Sequence, residues 1–378
     1  MMNIETIRQM HVSEMLEDRP LFSENDRVSE AIGSLREKDE YEVFVRTGQR
    51  PSLATVRDLL RVSNPSTTRL GGVAYLSPQL GQTEDLGKAA RLMFEYRLRA
   101  IPSYIDGNHV KAITARSLIE RIAQVGHARL RASEIMTPDP VTIQADDATS
   151  KAREIMLRRS FDHLPVIKNY KPYGVLTSSQ LLFSLLPEER APSGFQGPEN
   201  RVRFDFPVSR LCTESTVETR PESSLHDVIE TIGTSRSTYV LATFGGRVTG
   251  IITLRDIVNL LVNKEKRESP FYIVGLPDEP FEAERVKAKF ERFATYLSKA
   301  LPSIEEARAV IKSKETNGGK RRYEVSINVY TPNHLWAYTE WGYDIAKVFD
   351  ALGPKMKRLL GSKQSRVTKS HGDTRRKL

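Results

Sequence analysis

A soluble chain of 378 residues, with 39% hydrophobic residues and a mean hydropathy of -0.42, has apolar material for two to four folded domains, and disorder is not its default. A single cysteine, Cys212, excludes an intrachain disulfide framework and a zinc site built from several thiolates of one chain, and it is expected in a core. The net charge of +9 is unevenly placed: residues 264–378 hold 24 Lys and Arg against 15 Asp and Glu, whereas residues 1–263 hold 33 of each, so a polyanionic partner is expected for the C-terminal end alone.

The N-terminus lacks the basic start and apolar run of a signal peptide, and no stretch reaches the roughly 18 uncharged apolar residues of a membrane span. A cytoplasmic protein with no membrane partner is expected. From there the chain repeats one unit four times: a lead-in segment, a helix, a strand, a turn, a second strand, and a closing helix just after a Thr. Those Thr residues are 55, 114, 177 and 253. The first copy has its helix at Arg27 to Leu35, by apolar i, i+4, i+7 spacing, and a strand at Tyr41 to Val45. The second has a helix near Leu86 to Met93, a strand at Ala100 to Ile105 and an Asp106-Gly107-Asn108 turn. The third runs from Ala132 through a helix ending near Arg158 to a strand at Asp162 to Ile167. The Pro- and Gly-rich residues 187–205 read as a linker or insertion, and the fourth copy follows from Pro207 to about Asn263.

The lead-in Ser133-Glu134-Ile135-Met136-Thr137-Pro138, the strand His163-Leu164-Pro165-Val166 and the ending Gly250-Ile251-Ile252-Thr253-Leu254-Arg255-Asp256 resemble the CBS domain family. Four copies in one internal order form a strong repeat signal, at residues 10–64, 65–127, 128–186 and 206–263. The resemblance implies two paired CBS modules, first with second and third with fourth, in an α/β fold. It also implies an adenine nucleotide ligand, AMP or ATP, with Thr hydroxyls on phosphate and Asp carboxylates on the ribose diol. Thr55, Asp58, Thr253 and Asp256 keep that pair, and a helix N-terminus suits a phosphate. The same residues also read as a capping box that holds the helix start with no ligand, and both readings stay open. Gln180 in the third copy can close such a box but is a poorer partner for a diol. Ser117 in the second suits neither role, so two of the four sites look disabled.

After the charged stretch Lys264 to Pro270 the pattern changes to a small α+β domain over residues 271–361. Phe271 to Gly275 reads as a strand. Phe281 to Ala300 is an amphipathic helix, with Val286, Phe290, Phe293, Leu297 and Leu301 on one face. Ala307 to Lys312 is a second strand, Asn317-Gly318-Gly319 a hairpin turn, and Tyr323 to Tyr330 an alternating third strand. A turn at Pro332-Asn333 leads into a fourth strand from His334. The closing helix turns Ile345, Val348, Phe349 and Leu352 inward, and Gly353-Pro354 should kink or restart it. Residues 362–378 lack apolar periodicity and are expected to be a disordered basic tail.

This β-α-β-β-β-α order is similar to the ribosome hibernation factors, and four CBS repeats followed by such a domain resemble the archaeal four-CBS hibernation factors that inhibit both ribosomal subunits. The resemblance implies a repressor of translation that occupies the mRNA channel or decoding region, with ribosomal subunits, rRNA and ribosomal proteins as partners. Charge supports an RNA partner separately. Lys287, Lys289, Arg292, Lys312, Lys314, Lys320, Arg321, Arg322, Lys355, Lys357, Arg358, Arg375 and Arg376 are the candidate phosphate contacts. Trp336 and Trp341, with Tyr338 and Tyr343, either pack the core of the sheet or, if exposed, stack on unpaired bases.

The seven His residues are scattered over different repeats, and no Ser-His-Asp order, phosphate-binding glycine loop or metal-ligand spacing is found. No catalytic or metal residue is assigned, no cofactor is required, and a protein without enzymatic activity is expected. The competing functional reading is an adenine-nucleotide-sensing CBS regulator of another protein or of DNA.

Overall fold

The four Thr residues that end the strand pairs are where the chain turns from strand to helix. In the computed structural model of the protein, the described residues are 3–47, 50–124, 130–184, 206–212, 216–262, 271–277, 279–301, 304, 306–315, 321–331 and 335–372. Side chains are not described at 50, 280, 281, 314, 315, 335 and 359–372. The linker 187–205, the stretch Lys264 to Pro270, both expected turns of the C-terminal domain, Lys320, Arg375, Arg376 and the side chain of Lys314 lie outside these residues. The chain divides into two units, Met1–Lys266 and Arg267–Leu378.

The first unit contains the four repeats. Repeat 1 has α1 (Ile4–Arg8), β1 (Glu17–Ser23), α2 (Val28–Lys38), β2 (Glu42–Thr47), β3 (Arg50–Thr55) and α3 (Val56–Leu59). Repeat 2 has β4 (Tyr75–Leu76), α4 (Leu86–Tyr96), β5 (Ala100–Asp106), β6 (His109–Thr114) and α5 (Ala115–Ala123). Repeat 3 has α6 (Ala132–Ile135), β7 (Thr137–Pro138), β8 (Ile143–Gln144), α7 (Thr149–Arg159), β9 (His163–Lys168), β10 (Lys171–Thr177) and α8 (Ser178–Phe183). Repeat 4 has β11 (Glu218–Thr219), α9 (Leu225–Ser235), β12 (Tyr239–Phe244), β13 (Arg247–Thr253) and α10 (Leu254–Val258).

Pairing follows from strand exchange. The start of β1 runs antiparallel to β6 of repeat 2 and its end runs parallel to β2 of its own repeat, giving one six-stranded sheet ordered β4-β3-β2-β1-β6-β5. Repeat 3 lends β7 to β13 of repeat 4 in the same way. Gly250 of β13 lets the strands approach closely there, since a Cβ would press on the side chain of Met136 in the lead-in segment. First is therefore paired with second, and third with fourth. Across the pairs, repeats 1 and 3 share one buried cluster that includes Val28, Ile32, Leu35 and Leu59 together with Met156, Leu164, Leu181 and Cys212. Repeats 2 and 4 meet where α5 packs against α9 and α10.

The first long helix of every repeat ends on a left-handed residue that is not glycine: Asp39, Arg97, Ser160 and Arg236, with φ of 53, 54, 54 and 50. Such residues cost about 1 kcal/mol each against glycine. The helix starts are also equivalent. Val28 N donates to Thr68 O and Thr149 N to Phe206 O, both at 2.9 Å, and both residues are fully buried. The Thr149 hydroxyl has no hydrogen-bond partner among the described residues, whereas Val28 has nothing to satisfy. Thr149→Val is therefore expected to raise the unfolding free energy by about 1 kcal/mol, read as a higher urea midpoint at unchanged slope. A lower midpoint would show the hydroxyl to be satisfied.

In the second unit β14 (Phe271–Val274) is parallel to β15 (Glu306–Glu315), and β16 (Arg321–Tyr330) and β17 (Leu335–Gly342) complete an antiparallel meander. Helices α11 (Pro280–Ala300) and α12 (Ile345–Gly372) pack against each other, with α12 against β16 and β17. All nine helix residues expected inward join the core with Ala307, Ala309, Ile311, Tyr323, Val325, Ile327 and Val329. One expectation is narrowed and one fails. The helix does not restart at Gly353-Pro354: α12 runs through it, with fully buried Leu352 and Met356 on both sides of the missing amide bond. It also continues to Gly372, taking in eleven residues of the expected tail, since extending an existing helix needs no new nucleus.

Candidate ligand site at the junction of the repeats

All four Thr residues close the same hydrogen-bonded cap. The Thr amide donates to Asp58 Oδ2 at 3.1 Å, Ser117 Oγ at 3.3 Å, Gln180 Oε1 at 2.8 Å and Asp256 Oδ2 at 2.7 Å in turn. Ser117, expected to suit neither role, thus caps as well as the others: its buried Oγ lies close enough to accept, and Ser117 N donates back to Thr114 Oγ1 at 3.1 Å. The same Asp oxygens also accept from the Thr55 and Thr253 hydroxyls, each at 2.7 Å. Burial lifts the Asp256 carboxyl above its ordinary value. Thr55, Asp58, Thr253 and Asp256 line neither of the two cavities described below.

Next to each cap sits a second equivalent residue. The residue after each Thr donates its amide to the carbonyl of Tyr41, Arg99, Asp162 or Thr238, at 3.0, 2.6, 2.9 and 3.3 Å. These side chains converge from four repeats. Asp162 accepts from the Tyr41 hydroxyl at 2.6 Å, from Ser178 Oγ at 2.9 Å and from Arg57 Nη1 at 3.1 Å. Arg57 and Arg97 both donate to the carbonyl of Ser160, one of the left-handed caps. Burial opposes the charge of Asp162, but Arg57, Arg99 and the Tyr41 hydroxyl outweigh it and hold the carboxyl below its usual range. His163 beside it is kept neutral, its pKa pushed down to about 3 by burial and by Arg99, with Nε2 2.8 Å from Thr238 Oγ1.

At the Thr114 cap lies a cavity of 760 Å³ where repeats 1, 2 and 4 meet. Its apolar wall is Ile119 and Ala123 of α5, Ile229 and Ile232 of α9, and Leu254. Its polar wall mixes basic Arg19, Lys38, Arg116 and Arg236 with acidic Glu17, Asp39, Glu120 and Glu230, beside Thr114, Thr234 and His226, so two of the four left-handed caps face it. Arg19 is 3.0 Å from Glu17 and 2.7 Å from Glu40, and Arg116 is 3.7 Å from Asp39. A Cβ on Gly233 in α9 would meet nothing within 4 Å, so that helix leaves open space facing α5. The volume falls in the range of roughly 300–1,000 Å³ usual for small-molecule sites, and an apolar slot ending in guanidinium groups suits a flat ring that carries an anion. A smaller inner chamber of 60 Å³ shares Arg19, Asp39, Thr114, Arg116 and Leu254 with it.

The sequence pointed to the first and fourth Thr, whereas the described open space borders the second. One signal was present: Arg stands two residues after Thr in three copies, as Arg57, Arg116 and Arg255.

The basic candidates of the second unit fall into two groups. Lys312 and Arg322 share the sheet face opposite the helices, as the register places Lys312 against Glu324 and Glu324 against Trp341, and Arg321 begins β16 beside them. Lys287, Lys289, Arg292, Lys355, Lys357 and Arg358 are on α11 and α12. Lys287 pairs with Glu284 at 2.7 Å, Lys289 with Asp350, and Lys355 with Glu340, which leaves less charge for a partner than a residue count suggests. The tryptophans separate. Trp336 packs on the core, while Trp341 is 54% exposed, its ring 6.4 Å from that of Tyr343 and 4.3 Å below the Arg322 guanidinium.

The CBS domain family model matches residues 132–187 and 208–263. An uncharacterized Methanocaldococcus jannaschii protein, MJ1404, is 23% identical over 334 residues, covering 85% of this chain and 78% of its own length. The inosine-5'-monophosphate dehydrogenase of Korarchaeum cryptofilum is 27% identical over 138 residues, 36% of this chain and 26% of that enzyme. Among solved structures, M. jannaschii MJ1225, suggested as an archaeal homolog of g-AMPK, superposes with a TM-score of 0.59 at 15% identity, covering 66% of this chain and 99% of that one, a likeness of fold. No described helix is long and apolar enough to cross a membrane. Residues 132–187 and 208–263 are therefore CBS domains, and the two preceding repeats share their element order, their Thr cap and their strand exchange.

Proposed function

We propose that this protein is a non-catalytic regulator whose repeat unit binds an adenine nucleotide in the cavity between α5 and α9. The observation that carries the reading is the cavity itself: an apolar slot of nucleotide size that ends at the Thr114 cap and at Arg19, Arg116 and Arg236. CBS resemblance implies the same ligand class, and the partial match to a dehydrogenase of a purine nucleotide is consistent with it. The ring lies against Ile119, Ile229 and Gly233, and the phosphate lies toward the guanidinium groups. Titration calorimetry with AMP and ATP tests this. Wild type is expected to bind. Arg116→Ala should weaken binding about tenfold, the scale of one lost charge-assisted hydrogen bond. Gly233→Met should abolish binding while the protein stays folded, because the new side chain enters open space. No heat from wild type would remove the reading, and loss confined to Asp256→Ala would move the site to the fourth Thr.

A second reading concerns the basic unit, where the exposed Trp341 and Tyr343 beside Arg322 favour contact with unpaired bases of a structured RNA. Ribosomal subunits are the RNA partner implied by the resemblance to hibernation factors, but none of the matched proteins above is described as ribosome-bound. On this reading binding to a structured RNA falls steeply with salt, and Trp341→Ala weakens it without changing the salt slope.

A further inference from the structure

Behind the cavity the inner chamber contains a buried carboxyl group that the other repeats lack at the equivalent position. Glu42 is the first residue of β2 and 4% exposed, and the equivalent first strand residues of the other repeats are Ala100, His163 and Tyr239. It lines the chamber with Asp39 and Glu40 from the turn before β2, Arg19 from β1, Arg99 from the turn before β5, and Arg116 from α5. Repeat 4 contributes only the uncharged Thr238 and Leu254. Three guanidinium groups thus face three carboxyl groups. They are not evenly matched. Arg99 stacks on the Tyr41 ring at 4.2 Å with no carboxylate within salt-bridge distance among the described residues, and the buried Nε of Arg19 has no hydrogen-bond acceptor. Glu42 is turned to the Arg99 backbone amide, which donates to its Oε1.

We propose that this chamber is the subsite for the phosphoryl group of the bound nucleotide, and that filling it is coupled to uptake of one proton by Glu42. The inference rests on the nucleotide reading. With Glu42 ionised the chamber is neutral, and an entering phosphate meets a buried carboxylate. With Glu42 protonated the chamber carries one net positive charge, and Arg99 and the Arg19 Nε are left for the phosphate. Burial already favours the protonated form, lifting the carboxyl to about 7 against the pull of the Arg99 and Ala100 amides and of Arg19. The protein would then read nucleotide and proton together, holding AMP more tightly as pH falls.

The test is calorimetry on the full chain with AMP at pH 6.5 and 8.5, in two buffers of different ionisation enthalpy so that proton uptake is counted. Wild type is expected to take up close to one proton at pH 8.5 and to bind about twentyfold more weakly there than at pH 6.5, as linkage to a group titrating at about 7 requires. Glu42→Gln and Glu42→Ala, each checked by its melting transition, should lose the uptake and bind more tightly than wild type at pH 8.5. Adenosine, which lacks the phosphoryl group, should bind with no dependence on Glu42. AMP binding without proton uptake, uptake that persists in both variants, or uptake that also accompanies adenosine would overturn the coupling and leave the nucleotide reading in place. Absence of AMP binding at both pH values would overturn both.

Discussion

Asp162→Ala is expected to lower the unfolding free energy by about 3–5 kcal/mol, the range for removing one partner of a buried charge pair. The loss exceeds that of one salt bridge, since the Tyr41 hydroxyl and Ser178 Oγ lose an acceptor and Arg57 loses its carboxylate partner where the repeats meet. Asp162→Asn keeps an acceptor and should cost less. The carboxyl is depressed in the folded state, so its contribution is present above the ordinary value of 3.8 and disappears as pH falls through the lower folded value. Urea unfolding of the three proteins at pH 7 and pH 3 checks this. A cost below about 1 kcal/mol for the alanine variant would show that the cluster is not what joins the repeats.

The second large effect is a change in the shape of the pH–stability curve. Glu42 titrates near 7 when folded against 4.5 when unfolded, so the native state binds more protons between those values and stability falls as pH rises across that window. His163 acts in the opposite sense: its folded value of about 3 lies below 6.5, so stability rises with pH from about 3 to 6.5. Between pH 4.5 and 6.5 the two slopes oppose each other and wild type should be nearly flat. Glu42→Gln removes one slope. Its stability should rise through that window and exceed wild type at pH 8 by up to about 3 kcal/mol, from a shift of two to three pKa units. Unfolding midpoints at pH 4.5, 6 and 8 decide, and parallel curves for the two proteins would contradict the assignment of Glu42.

Local chemistry explains what was legible in the sequence. A Thr followed three residues later by an acceptor specifies a helix start wherever it stands, which is why all four copies could be placed and why even Ser117 fills the role. Apolar spacing on α11 and α12 likewise needed only its own helix. The cavity could not be read this way. Arg19, Lys38, Arg116 and Arg236 belong to three repeats, and only strand exchange and the packing of α5 on α9 bring them together. The tryptophans show the same limit on a smaller scale. Trp336 and Trp341 are five residues apart on one strand, so the pleat sends them to opposite faces, and a single expectation for both could not hold.

The account depends most on where an adenine nucleotide binds, and a crystal structure of the protein grown with saturating AMP measures that directly. Density for the ring between Ile119 and Ile229, with the phosphate at Arg19, Arg99 and Arg116, is the predicted result. Density instead at the Thr253 and Asp256 cap, or an empty cavity in crystals grown at saturating AMP, would contradict it.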